Sequence, residues 1–173
     1  MAETLTVVDG KTIEYEGIFD PRELYTIIDE LSKQHSFDKN EFRNCEFVFK
    51  ESKDLILDIR PYKRLSEYAK TEIKIEITGT DLKKVEIEKK GLKKKLYKGH
   101  LKVILTSYLI TDYENAWESR PIYYLIRMLI DKYIYKGYTQ ELKDEITTMT
   151  NDFFDEIRSY LNMHRYVGEP EKG

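Results

Sequence analysis

The chain has 173 residues, 40% of them hydrophobic and 35% charged, with a formal net charge of −3. This composition excludes a disordered chain, and Cys45, the single cysteine, excludes an internal disulfide framework. The charge is unevenly spread, with net −5 over residues 1–80, +5 over 81–112 and −3 over 113–173, so generic nucleic-acid binding is excluded and a local basic surface stays open.

The length suits one domain over residues 1–173, with a core at 1–136, a helical segment at 137–163 and a tail at 164–173. No apolar run reaches the roughly 18 residues of a spanning helix. The lone cysteine and the lack of a signal-peptide pattern point to a reducing cytoplasm.

The stretch "TLTVVDGKTIEYEGIF" reads as two short strands joined at Asp9-Gly10, a hairpin signal because both residues tolerate positive φ. "DPRELYTIIDELSKQ" reads as a helix. Asp20 caps it, Pro21 takes the first helical position, Glu23 follows in the first turn, and Leu24, Ile27, Ile28 and Leu31 form one apolar stripe. The helix ends near His35.

Five strands follow. Cys45, Phe47 and Phe49 share a face of the first, over 42–50. Leu55, Leu57 and Ile59 share a face of the second, which Pro61 ends. Ile73, Ile75 and Ile77 alternate with polar residues, "TGTD" turns the chain, and Val85 and Ile87 continue the alternation. Gly91 turns the chain again into a long strand to Thr111. Apolar parity changes between Leu96 and Leu101, which predicts a bulge at Lys98–His100 around Gly99.

From Ser119 the pattern is helical, and the apolar positions from Ile122 to Ile134 cover most of the helix surface. Beyond Gly137, the spacing of Leu142, Ile146, Met149, Phe153, Ile157 and Leu161 makes a cleaner stripe. One helix over 119–163 would be about 67 Å long, against a radius of gyration of about 16 Å for a domain this size. The expectation is a break at Gly137–Thr139 with Thr139 as a new cap. The alternative is a protruding helix that dimerises.

The segments "TIEYEGIFDPRELYTIID" and "AWESRPIYYLIRMLIDKYIY" place a strand feeding a helix early and a long helix late, around an antiparallel sheet. This order resembles the helix-grip fold of the START and Bet v 1-like (SRPBCC) superfamily. The fold class is then α+β: a curved antiparallel sheet packed on a long C-terminal helix, with an early helix and an extra C-terminal helical segment. The resemblance implies an apolar cavity between sheet and helix and a lipid or other hydrophobic ligand. No residue carries over position by position. The pocket candidates are Phe47, Phe49, Leu57, Ile75, Ile77, Val103, Leu105, Tyr108, Leu125 and Leu129, which a plain closed core would also contain.

Catalytic signals are weak. His35, His100 and His164 fall on separate elements, and neither zinc spacing nor a Gly-rich phosphate loop occurs, so no metal and no cofactor is expected. Cys45 reads as a small hydrophobe, and Asp29-Glu30 and Asp155-Glu156 as solvated helix faces. The reading therefore leans away from an enzyme. Five tyrosines between Tyr123 and Tyr138 read as core, as a partner surface or as a pocket lining.

The basic alternative rests on Lys83–Lys102, a hairpin with nine lysines. Alternation explains many of them as a solvated sheet face. It does not explain Lys93, Lys94 and Lys95 in a row, and these with Lys98 are the phosphate-contact candidates for a nucleic acid or ribosome. A third reading is a homodimer acting through the C-terminal helices.

Overall fold

In the computed structural model, residues 3–66, 69–89, 92–111 and 135–165 are described. The elements are β1 (Glu3–Phe19), α1 (Pro21–Gln34), β2 (Asp38–Val48), β3 (Lys53–Arg64), β4 (Ala69–Lys89), β5 (Leu92–Thr111) and a C-terminal helix α2 (Tyr135–Arg165). The strands form one antiparallel, curved sheet in the order β1-β5-β4-β3-β2. The class is α+β, as the sequence implies. The expected 119–134 helix, with Leu125 and Leu129, lies outside the described residues.

The chain leaves β1 at one edge, crosses as α1 and enters β2 at the other edge. The Asp20 carboxylate accepts from the Arg22 amide at 3.0 Å, Pro21 sits in the first turn, and His35 closes the helix. Leu24, Ile28 and Leu31 are buried, as the stripe requires. The α2 stripe is buried from Leu142 to Leu161, and α2 packs on β1, β5 and α1. Between helices and sheet lie Ile13, Tyr15, Phe19, Leu57, Ile59, Ile75, Ile77, Val103 and Leu105.

Two expected turns are bulges. Asp9-Gly10 does not join two strands. β1 runs straight through it, and Gly10 takes φ +59° where the register with β5 slips between Val8 and Lys11. The extra residue takes the amides out of the ladder, and β5 side chains meet them. Val8 N–H donates to the Ser107 hydroxyl at 3.2 Å and Gly10 N–H to Thr106 at 3.3 Å. "TGTD" likewise does not turn the chain, because β4 continues to Lys89 with Asp81 at φ +52° and a slip between Thr80 and Lys83.

That second slip also corrects the bulge expected at Lys98–His100. β5 stays regular there against β1, with Gly99 opposite Gly17, and the extra residue belongs to β4 directly across. A methyl group on Gly99 would sit 2.8 Å from the Thr80 and Asp81 carbonyl oxygens. The glycine is needed for close approach to a bulge, not for making one.

Three further expectations change. Pro61 does not end its strand, since β3 continues to Arg64 and Pro61 stands opposite Lys39 of the edge strand β2. α2 runs through Gly137 and Thr139 without a break. At 1.5 Å per residue it is about 46 Å long. Finally, Cys45 and Phe47 face away from the core. The register sets them opposite Ile56 and Asp54, while Asn44 and Glu46 stand opposite the core residues Leu57 and Leu55.

Candidate functional site

The pocket candidates separate into four groups. Leu57, Ile75, Ile77, Val103 and Leu105 are at most 5% exposed and belong to the main core. Tyr108 pairs with Glu72 on the opposite face and is half-buried. Phe47 and Phe49 are 52% and 57% exposed, at and just beyond the end of edge strand β2. Leu125 and Leu129 lie outside the described residues.

The lysine candidates differ in their neighbours. Ladder register puts Lys94 and Lys98 on the face of Val85 and Leu96, and Lys95 on the other. The Lys94 ammonium meets Glu23 of α1 at 3.2 Å. Lys95 stands directly opposite Glu86, and Lys93 opposite Glu88 along the ladder. Lys98 is exposed and stands opposite Lys83, which itself reaches Asp81 at 3.3 Å. At Lys94 a phosphate backbone would compete with an acid already in place.

A different site forms where the tip of the β2–β3 hairpin lies beside the β4 bulge and Tyr97 of β5. The bulge at Asp81 turns Leu82 inward. Its side chain covers Gly79 and Gly99 and is 1% exposed. Past the bulge, β4 parity is reversed, so Lys84 rather than an apolar residue stands opposite Tyr97. A lysine therefore enters the core-side face at this point of the sheet.

The result is a groove of about 520 Å³ lined by Val48, Phe49, Leu82 and Tyr97, with Lys50, Lys53, Lys83 and Lys84 and two acids, Glu46 and Glu51. The Lys53 ammonium lies 4.1 Å from the centre of the Tyr97 ring and 3.0 Å from a Glu46 oxygen. Burial pulls its pKa down, but hydrogen bonds and charge from Glu46 and Tyr97 outweigh it and hold the group above the ordinary lysine range. Lys53 is thus a fixed cation in the wall. Lys50 and Lys84 are exposed and have no ion-pair partner among the described residues.

Local pattern does not show this groove, because its residues come from the β2–β3 turn and from the interiors of β4 and β5, and Phe49 is its one residue among the site candidates. Local pattern also misses Tyr160, whose hydroxyl binds the cap of α1. His35 and His100 stay apart. His35 stands 3.4 Å from Asp152 and against Phe153, and His100 is exposed, 3.7 Å from Glu16. Among the described residues, no helix is long and apolar enough to cross a membrane. Comparison with protein-family models and with curated proteins finds no match to this chain.

Proposed function

We propose that the protein is a non-catalytic binding module for a small amphipathic anion, a molecule with an apolar or aromatic body and one acidic group. The observation that carries this reading is the hairpin-tip groove, where Val48, Phe49 and Tyr97 offer apolar surface beside the exposed ammonium groups of Lys50 and Lys84. Its volume lies within the range of small-molecule sites, roughly 300–1,000 Å³. The reading keeps the hydrophobic ligand class that the helix-grip resemblance implies. It moves the ligand from beneath the 119–136 helix to the end of the sheet.

The dye 8-anilinonaphthalene-1-sulfonate has this chemistry and tests the reading. Fluorescence titration of the folded chain is expected to saturate at one dye per chain. Phe49→Ser and Lys84→Glu, both at exposed positions, are each expected to weaken binding roughly tenfold without changing the circular dichroism. No saturable binding, or binding indifferent to both substitutions, overturns it.

A further inference from the structure

The two edges of the sheet differ. β1 is interrupted by its double slip between Thr6 and Lys11, and α2 packs along it. α1 meets β2 at its start, through Lys39–Asp29 and Tyr25–Glu41, and Arg43 to Val48 stay open beyond it. Every residue from Asp38 to Val48 is exposed or half-exposed, including Phe42, Phe47 and Val48 at 56%, 52% and 76%. After one slip at Phe42 its register with β3 is regular from Arg43 to Val48. This regular, partly apolar stretch of edge offers unpaired amides and carbonyls to another strand.

The sequence of this edge selects its partner. When a strand pairs with a copy of itself about a two-fold axis perpendicular to the sheet, residues opposite one another lie on the same face. Centring the axis on Arg43 puts two guanidinium groups opposite each other, and centring it on Glu46 does the same with two carboxylates. Centring it on Asn44 sets Glu46 against the slipped residue Phe42. Centring it on Cys45 opposes no like charges and sets the slipped Phe42 against the apolar Val48. Arg43 then faces Phe47 of the second copy, Asn44 faces Glu46 of the second copy, and both contacts occur twice.

We propose that the protein forms a two-fold homodimer by antiparallel pairing of β2 with β2 of a second copy, in the register centred on Cys45. The two five-stranded sheets become one ten-stranded sheet, with two Arg43–Phe47 contacts flanking the cysteine pair on the outer face. The interface is the sheet edge and not the C-terminal helices. The pairing edge runs up to the ligand groove, whose lining includes Glu46 and Val48 of β2.

Light scattering after size exclusion tests this on the full chain under reducing conditions, with twice the chain mass expected. Cys45→Lys places two ammonium groups opposite each other and is expected to raise the dimer dissociation constant roughly tenfold or more, with unchanged circular dichroism. Oxidation of the unsubstituted chain with copper phenanthroline is expected to join two copies through Cys45, since directly opposed strand positions fall within disulfide reach. A monomer at high micromolar concentration, or no cross-linked dimer, overturns the proposal. So does association that survives Cys45→Lys and is lost in Met163→Lys, on the exposed surface of α2.

Discussion

The Tyr160 hydroxyl of α2 holds both backbone groups of Asp20, the residue that caps α1. It accepts from the Asp20 amide at 3.0 Å and donates to the Asp20 carbonyl at 3.1 Å. One side chain thus fixes where β1 stops, where α1 begins and where α2 lies across them. Tyr160→Phe keeps the ring and leaves the amide without this partner, so unfolding free energy in urea is expected to fall by about 1–3 kcal/mol.

The same hydroxyl predicts a pH dependence. Burial, with the carboxylates of Glu23 and Asp20 nearby, raises the Tyr160 pKa far above the ordinary tyrosine value. A raised folded-state pKa contributes stability that is complete below the unfolded value, about 10, and is lost as pH rises from there toward the folded value. Urea midpoints are expected to drop above about pH 10 in the native chain and to drop less in Tyr160→Phe.

The bulges make opposite demands on their glycines. Gly10 has φ +59° with open space around its missing Cβ, so Gly10→Val is strained by backbone alone and is expected to cost about 1–2 kcal/mol. Gly99 is limited by backbone oxygens 2.8 Å from an added methyl. Gly99→Ala must push β4 away from β5, and its expected cost is about 1–3 kcal/mol. Loss of amide protection at Asp81–Lys83 in hydrogen exchange would distinguish it from Gly10→Val.

Leu82→Ala tests the packing that the second bulge creates. Leu82 is 1% exposed and fills the space over two glycines, which have no side chains to take its place. A loss of about 2–5 kcal/mol is expected in urea unfolding. Dye affinity in the groove is expected to fall with it, because Leu82 is part of the lining.

Acid sensitivity is expected from Asp58 and Asp29. The Arg60 guanidinium donates to both Asp58 oxygens at 2.9 Å and holds its pKa below the ordinary aspartate range. Lys33 and Lys39 do the same for Asp29. Depressed folded-state values contribute stability that is present above the unfolded pKa, about 3.9, and lost as pH falls through the folded ones. Asp58→Asn is expected to flatten the decline of the urea midpoint below about pH 4.

By itself the sequence determined α1 with its cap, the buried stripe of α2 and the apolar faces of β3, β4 and β5. Each follows from a local period of 3.6 or 2 that packing then used unchanged. The tertiary structure decided what the turn signals meant. Asp9-Gly10 and "TGTD" supply positive φ, and a hairpin and a bulge both use positive φ; only the neighbouring strand, which pairs across both segments, selects the bulge. The face of β2 was also beyond local pattern. Cys45 and Phe47 alternate as a core face would, yet pairing with β3 turns them outward onto an open edge. The groove depends on both effects, since one added residue at Asp81 reverses the parity of β4 and sets Lys84 beside Tyr97.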